Sequence, residues 1–343
     1  MDVQQTIPRL RPLTLGLVAL LLTGCATFSQ DGGLNTVSTL TKERTGQTVQ
    51  FSKPGSNTES IDTSVNRLLS KPLTPDTAVQ VAFLNNKGLQ ASLAELGIAE
   101  ADLVQAGRMR NPSFSFGKMR GDGEVEIERS VMFDIVGLLT IPVRSNIEGR
   151  RFEQAKLQAA AQAVRLSADT RKAWFNAVAA EQTVQYMEQV RTAAEASAEL
   201  ATRMAQVGNF SKLDQAREQA FYADATAQIA RAMHNATAAR EQLSRLLGLW
   251  GEKTAFKLPD RLPDLPKTPN TINDIESQAM QQRLDVQMAR RDAQMTASAL
   301  GLSKATGFIN VLHAGYKNKS VTDAPRENGY EIELELPVFD WGR

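Results

Sequence analysis

The chain has 343 residues, and its 39 Lys and Arg against 38 Asp and Glu give a formal net charge of +1 at pH 7. This balance provides no basic patch, so the sequence predicts no nucleic-acid partner. Aromatic residues make up only 6% of the chain, and Ala, Gln and Arg are abundant in its middle third. Such a composition is typical of long helices rather than of a thick globular core.

The N-terminus has the parts of an export signal. Arg9 and Arg11 precede an apolar run over residues 13–22, which is too short to span a bilayer as a stable helix. Leu22-Thr23-Gly24-Cys25 resembles a bacterial lipobox, in which cleavage precedes a Cys that carries lipid such as palmitate. We therefore expect residues 1–24 to be a lipoprotein signal peptide and Cys25 to be lipidated. The alternative is an ordinary secretory signal with an incidental Cys.

The next segment, residues 25–72, is rich in Ser, Thr, Asn and Gly and predicts an extended N-terminal linker. A helix is expected to begin at Thr74-Pro75-Asp76, because Thr74 can cap it and Pro75 suits its first position. Asn111-Pro112 is expected to end this helix.

Two strands are predicted next. Residues 113–117 alternate as a first strand, and residues 118–123 form a polar loop. The second strand has Val125, Ile127, Val131, Phe133 and Ile135 on one face and Glu124, Glu126 and Glu128 on the other. Pro142 is expected to close this strand.

Residues 143–247 contain no proline and predict a long helical hairpin. Its turn is expected at residues 207–211, which gives arms of about 100 Å and about 55 Å. The first arm has two apolar stripes, one rich in Ala and one containing Tyr186, Leu200 and Val207. Two stripes indicate two neighbouring helices, as in a ring of helices. A buried helix in a globular bundle is the alternative.

The layout then occurs a second time. Residues 258–269 are rich in Pro, a helix is expected over about 273–302, and residues 308–316 predict a strand. A polar loop over residues 317–329 precedes a strand in which Tyr330, Ile332, Leu334 and Leu336 alternate with Glu331, Glu333 and Glu335. We therefore divide the chain into a first repeat, residues 73–257, and a second repeat, residues 258–343.

Paired strands on long helices favour a membrane barrel, although a water-soluble sheet alternates in the same way. A membrane barrel has no open edge and needs about eight strands, so four strands require at least two copies of the chain. The six Glu residues would then face a water-filled lumen, where they stay hydrated and favour cations. The alternative is the solvated face of a soluble sheet.

Several motifs, each weak alone, are specific in their order and spacing. They are Leu73-Thr74-Pro75-Asp76-Thr77-Ala78-Val79, Asn111-Pro112, Gly208 with Asp214 and Ala216-Arg217, Leu246-Leu247-Gly248-Leu249, and Leu336-Pro337-Val338-Phe339-Asp340-Trp341-Gly342-Arg343. From Leu73 to its end, the chain resembles the TolC-like outer-membrane efflux proteins. The resemblance implies a mainly α fold with a four-stranded β contribution, in which long periplasmic hairpins support transmembrane strands that close a barrel only in a trimer.

The resemblance also implies a function. The chain would be a channel subunit of a tripartite efflux or secretion system, a passive duct across the periplasm and the outer membrane. Its partners would be a homotrimer, a periplasmic adaptor, an inner-membrane pump and outer-membrane lipid. The tip around Gly208, Asn209 and Asp214 would face the adaptor, although the helix dipole also explains Asp214. The family continues after Gly342-Arg343 with a second helical hairpin, so we expect a truncated form and assign no gate residues.

Other classes of protein are less well supported. His234 and His313 are the only histidines, and no Gly-rich phosphate loop, Ser-centred elbow or HExxH motif occurs. We therefore expect no enzyme, no cofactor and no metal site. The competing interpretation is a lipid-anchored coiled-coil scaffold of the envelope that has no transport activity.

Overall fold

The structure is a computed structural model, and it describes residues 27–51, 58–121, 123–268, 274–306, 309 and 311–335. The chain divides into two compact units. The first contains the residues before Gly33 together with Leu96–Ala155 and Val286–Arg343, and the second contains Gly33–Glu95 and Lys156–Asp285.

The described part of the chain is mainly helical with one four-stranded sheet, which confirms the predicted fold class. The helices are α1 (Leu34–Thr45), α2 (Thr58–Leu69), α3 (Pro75–Asn85), α4 (Lys87–Ala106), α5 (Ile135–Gln206), α6 (Lys212–Leu247), α7 (Ile275–Gln282) and α8 (Leu284–Thr306). The strands are β1 (Ser113–Gly121), β2 (Glu124–Asp134), β3 (Val311–Val321) and β4 (Glu327–Glu335).

The doubled layout is present in the structure. Two helices and two strands follow one another as α3, α4, β1 and β2, and again as α7, α8, β3 and β4. In both copies a single extended residue separates the two helices, Asn86 in the first and Arg283 in the second. The sequence predicted one unbroken helix at each place, and α4 ends at Ala106 rather than at Asn111.

The start of α3 follows the predicted capping chemistry. The Thr77 amide donates to the Thr74 side chain over 3.1 Å, and the Thr74 amide donates to the Thr77 hydroxyl over 2.8 Å. Pro75 occupies the first helical turn, where its missing N–H costs nothing. Two otherwise unpaired backbone donors are thereby satisfied.

The prediction of an extended linker over residues 25–72 is wrong for its described part, which contains α1 and α2. The spacing of four between Val37, Thr41 and Thr45 places all three on one face of α1, and all three are buried. Gly33 and Gly46 adopt positive φ angles at the two ends of this helix. The sequence did not predict α1 because Thr has a low helix propensity. Burial of one face of the helix overrides this propensity. The boundaries at residues 72 and 257 stay predictions.

The second unit has a hydrophobic core to which helices from distant parts of the sequence contribute. The indole Nε1 of Trp174 donates a buried hydrogen bond of 2.8 Å to the carbonyl of Leu73. The core consists of Val65, Leu73, Ala78, Val81, Ala82, Ala173, Trp174, Ala177, Val178, Leu243, Leu247, Leu249, Phe256 and Leu258.

The predicted hairpin consists of α5, with 72 residues, and α6, with 36. Ala194, Ala198 and Ala201 of the Ala-rich stripe are buried, as small residues at close helix contacts are. Ser197 Oγ donates to Glu218 Oε2 over 2.7 Å, and Arg240 Nη1 pairs with Glu181 Oε1 at 2.9 Å. These bonds join the two arms of the hairpin.

The break between α3 and α4 is bonded to the end of α6. Asn85 Nδ2 donates to the carbonyl of Gly248 over 2.6 Å, and Asn86 Nδ2 donates to that of Leu246 over 3.0 Å. Carbonyls at a helix C-terminus have no partner within the helix, so the two amides satisfy them. Gly248 adopts a φ of 68°, and a Cβ there would lie 2.7 Å from the Asn85 carbonyl oxygen.

Candidate functional site

The four strands form one sheet in the order β1-β2-β3-β4, and neighbouring strands are antiparallel. The register sets Glu128 between Gly117 and Lys319, and it sets Gly315 between Met132 and Glu331. Because alternate residues of a strand point to opposite faces, this register assigns every strand residue to one of two faces.

One face of the sheet, here called the charged face, contains most of its ionisable side chains. All six Glu residues that the sequence analysis singled out lie on it. In register order they are Glu124, Glu126 and Glu128 on β2, and Glu331, Glu333 and Glu335 on β4.

The charged face also contains lysines that the sequence analysis assigned to a loop. The predicted loop over residues 317–329 is wrong, because β3 extends to Val321 and β4 begins at Glu327. Lys319 Nζ lies 2.7 Å from Glu126 Oε1, and Lys317 Nζ lies 3.5 Å from Glu128 Oε1 and 3.9 Å from Glu331 Oε1. A row of lysines between two rows of Glu offsets the repulsion within each row. The alternation of Lys317 and Lys319 was the missed signal.

The loop over residues 118–123 is also shorter than predicted, because β1 continues to Gly121. The pairing of β1 with β2 continues as far as Gly121, which is opposite Glu124. The two hairpins of the sheet therefore have short connections and long strands. Lys118 and Arg120 consequently lie on a strand.

The opposite face, here called the apolar face, is exposed in the chain. Tyr330 is 92% exposed, Ile332 72% and Phe114 68%. An exposed apolar surface of this kind marks contact with a membrane or with another protein. Its apolar residues are Phe114, Phe116, Val125, Ile127, Val131, Phe133, Leu312, Ala314, Tyr316, Tyr330, Ile332 and Leu334.

The outer strands β1 and β4 each have a single neighbour within the described part of the chain. Each therefore presents a row of backbone donors and acceptors at an open edge of the sheet. Such an edge is a template for pairing with another strand. In an apolar medium these groups have to be paired, because water cannot satisfy them.

The junction between β2 and α5 differs from the prediction that Pro142 closes the strand. Asp134 Oδ1 accepts a 2.6 Å hydrogen bond from the amide of Gly137, so the helix begins directly after the strand. Pro142 lies inside α5, and Arg144 Nη2 donates to the carbonyl of Gly137 over 3.0 Å. Arg110 pairs with the second Asp134 oxygen at 3.2 Å. The cap by Asp134 decides the boundary, since an Asp at this position satisfies a free helix N–H.

The tip of the hairpin forms as predicted. Gly208 adopts a φ of 76°, and the Asn209 amide bonds to the Met204 carbonyl over 2.9 Å, which ends α5. Ser211 caps α6 by accepting from the Asp214 amide over 3.1 Å, and its hydroxyl donates to Asp214 Oδ2 over 2.6 Å. Gly208 and Asn209 thus lie in one tight turn, and Asp214 lies in the first helical turn of α6 that follows it.

The second apolar stripe of α5 is exposed along much of the arm. Tyr186 and Leu200 are exposed, as is Val207 just after the helix, whereas the Ala-rich stripe has Ala177, Ala194, Ala198 and Ala201 buried. The exposed stripe is available to a further helix that the chain itself does not supply in its described part. This asymmetry fits the expected two neighbours.

Cys25 and the motif over residues 336–343 lie outside the described residues. Among the residues that the structure describes, no helix is both long and apolar enough to cross a membrane. Within the same residues, no three His, Cys, Asp or Glu side chains are grouped as a metal site would require.

Comparison with known proteins gives a consistent set of relatives. No family model matches the sequence. The chain is 23% identical over 315 residues to the cobalt-zinc-cadmium resistance protein CzcC of Cupriavidus metallidurans, and the match covers 86% of the chain and 72% of CzcC.

Solved structures with the same fold include CusC, a protein that forms a transmembrane channel, with a TM-score of 0.63 and 17% identity over 78% of the chain. The outer-membrane channel OprN has a TM-score of 0.62 and 18% identity over 80% of the chain. The outer-membrane protein VceC of Vibrio cholerae has a TM-score of 0.59 and 15% identity over 82% of the chain. The chain spans 66% of the CusC and OprN chains and 70% of VceC.

Proposed function

Because the chain has the fold of the TolC-like outer-membrane channels, we propose that it is a subunit of an outer-membrane channel. The channel would be the passive exit duct of an efflux or secretion system. One observation supports this proposal above the others: the sheet has one apolar face, one charged face and two open edges. This combination suits a barrel wall, which meets lipid on one side and water on the other.

The apolar face supplies the lipid contact. Its exposed residues include large aliphatic and aromatic side chains such as Ile332, Leu334 and Tyr330. In water their exposure is unfavourable, by about 25 cal/mol for each Å² of apolar surface. In a bilayer the same exposure has no such cost, so the face favours a membrane environment.

The open edges of β1 and β4 supply the reason for assembly. Edge groups cannot remain unpaired in hydrocarbon, so β4 of one copy pairs with β1 of the next until the sheet closes. Three copies of a four-stranded sheet provide about twelve strands, which lies within the range of membrane barrels. We therefore propose a homotrimer, in which the exposed stripe of α5 contacts a neighbouring subunit.

The charged face would line the lumen. Its carboxylates outnumber Lys317 and Lys319, so a cation preference remains, but it is weaker than the Glu residues alone predict. CzcC is named for resistance to cobalt, zinc and cadmium. Divalent metal cations are therefore a cargo compatible with this lumen, transported as substrate.

The remaining contacts complete the proposal. Cys25 would carry lipid that anchors the chain in the outer membrane, and the helices would extend into the periplasm. The turn at Gly208, Asn209 and Asp214 would contact a periplasmic adaptor, which links the channel to an inner-membrane pump. A short capped turn is suited to such a contact because its backbone is held by its own hydrogen bonds.

The barrel is tested by placing charge on the apolar face. In the variant I332R/L334R, each Arg costs about 2 to 4 kcal/mol at the membrane midplane, so assembly in the outer membrane should fail. The control E333R/E335R places the same residue on the charged face of the same strand and should assemble. The measurements are detergent-resistant trimers on gels and ion conductance in planar bilayers.

The outcome that contradicts the proposal is equally clear. If I332R/L334R forms trimers and conducts as the unmodified chain does, the apolar face does not meet lipid. A lipid-anchored scaffold would give neither detergent-resistant trimers nor conductance, whichever face is changed.

A further inference from the structure

Three cations lie on the apolar face of the sheet, all near the hairpin between β1 and β2. Lys118 pairs with Ile127, Arg120 with Val125, and Arg129 with Phe116. Lys118 and Arg129 are diagonal neighbours, about 7–8 Å apart. Arg120 lies two residues farther along β1, at about 7 Å from Lys118.

These cations lie just beyond the end of the apolar part of the face. Phe114, Val131, Tyr316 and Tyr330 form one row across all four strands. The next row toward the hairpins is Phe116, Arg129, Asn318 and Asn328. Aromatic side chains therefore border a polar zone, as they do where hydrocarbon meets the headgroups of a bilayer.

A hydrogen-bond network positions Arg129 in this polar zone. Arg129 Nη1 donates to Asn318 Oδ1 over 3.1 Å, and Asn318 Nδ2 donates to Asn328 Oδ1 over 2.7 Å. The Tyr316 hydroxyl donates to the same Asn328 oxygen over 2.8 Å. The network uses one donor of the guanidinium and leaves others directed elsewhere, because an Arg side chain has five N–H donors.

The cations of the two faces differ in whether carboxylates lie beside them. Lys317 and Lys319 on the charged face pair with Glu side chains. On the apolar face, no residue within the described strands is an Asp or Glu, and Lys118 and Arg120 are exposed. Lys118 lies within about 8 Å of both Arg120 and Arg129, whereas Arg120 and Arg129 are about 14 Å apart. Lys118 is therefore repelled from both sides, and an anion from outside the chain relieves that repulsion.

We propose that Lys118, Arg120 and Arg129 form a binding site for the phosphate groups of an anionic lipid. This inference rests on the proposed function: with the helices in the periplasm, the hairpin at the other end of β1 and β2 would meet the outer leaflet of the membrane. The lipid chains would lie against the aromatic row, and the phosphates would lie among the three cations. Guanidinium groups suit this ligand because they bind two phosphate oxygens at once.

The test measures lipid binding by the full chain, purified as the assembled channel in nonionic detergent. Diphosphorylated lipid A is titrated while bound lipid is counted by native mass spectrometry. The variant K118Q/R120Q/R129Q should bind it about tenfold more weakly or worse. The control K212Q/R231Q/R245Q removes one Lys and two Arg from exposed helix positions and should bind as the unmodified chain does.

Further arms identify the source of the phosphate. Raising NaCl from about 0.05 to about 0.5 M should weaken lipid binding, since salt screens exposed charges. Inorganic phosphate at the concentration of the lipid, added at constant ionic strength, should not displace the lipid. If it competes as well as lipid A does, the assignment to a lipid is overturned. Equal lipid affinity of the two triple variants would overturn the site itself.

If the triple variant does not assemble, a variant with a single substitution is used instead. Arg120 is exposed, and R120Q should lower the affinity about fivefold without loss of the channel. Conductance is measured on the same samples. An unmodified chain that forms no channel contradicts the proposed function, whereas a conducting R120Q channel with unchanged lipid affinity contradicts only this inference.

Discussion

Gly315 is a position in the sheet where no room exists for a side chain. It lies on β3 between Met132 and Glu331. A Cβ built at this position would overlap the carbonyl oxygen of Val131 and the sulfur of Met132, and it would lie 2.9 Å from the Met132 Cα. The substitution Gly315→Ala therefore sets a methyl group against the backbone of β2.

The size of the effect follows from which atoms have to move. The sulfur of Met132 belongs to a flexible side chain and can shift, but the carbonyl of Val131 and the Cα of Met132 are backbone. Strands β2 and β3 have to separate locally, and overpacking of this kind costs about 1–3 kcal/mol. Each subunit of an assembled barrel carries the substitution, so the effect on the trimer is larger.

Gly329→Ala is the matched control. Gly329 lies on the neighbouring strand β4, opposite Lys317 on the charged face, and nothing lies within 4 Å of a Cβ built there. The control should change stability by no more than about 0.5 kcal/mol.

The assay is the lifetime of the detergent-resistant trimer at a fixed elevated temperature, because large assemblies dissociate irreversibly. If about 2 kcal/mol is lost on the dissociation barrier, the lifetime falls about 30-fold. Equal lifetimes for the Gly315→Ala and Gly329→Ala trimers would refute the register of β2 and β3.

Three further predictions concern the core, the lumen and the hairpin. Trp174→Phe removes a buried donor and leaves a carbonyl unpaired, so the free energy of unfolding should fall by about 1–3 kcal/mol, measured by urea denaturation with circular dichroism; an unchanged midpoint would contradict the bond. K317Q/K319Q should raise the cation preference of the channel, and an unchanged reversal potential in a salt gradient would show that this face does not line the pore. The Arg191 guanidinium, hydrogen-bonded to Glu188, lowers the pKa of that carboxyl, so any stability it adds is present above the ordinary carboxylate pKa and lost as pH falls through the lowered value. NMR titration should show a higher pKa for Glu188 in R191Q than in the unmodified chain.

The sequence predicted the elements whose signals are local. Thr74 caps α3 as its side chain predicts, and the turn expected at residues 207–211 forms around Gly208, which adopts a positive φ. The alternation of β2 and β4 was strong enough to assign both faces. Each of these features depends on residues within one turn of a helix or one stretch of a strand.

The sequence did not predict features that depend on distant partners. Lys317 and Lys319 look like loop residues until β2 is paired with β3, which brings Glu128 and Glu126 beside them as diagonal ion-pair partners. The break at Asn86 depends on a distant partner, because the carbonyl to which its side-chain amide donates belongs to Leu246 at the end of α6. For the same reason, the sequence alone shows the Glu residues of the charged face without the lysines that pair with them.

The bonds at this break also constrain the order in which the chain can fold. Asn85 reaches the carbonyl of Leu247, a separation of 162 residues. In the proposed function the chain is exported from its N-terminus, so α3 would emerge long before its partner. The apolar residues of α3 would have no core to join until the end of α6 had crossed the inner membrane. A chain whose contacts join residues so far apart in sequence folds slowly. Under the proposed function, export would therefore leave the N-terminal helices exposed to aggregation for most of the time that translocation takes.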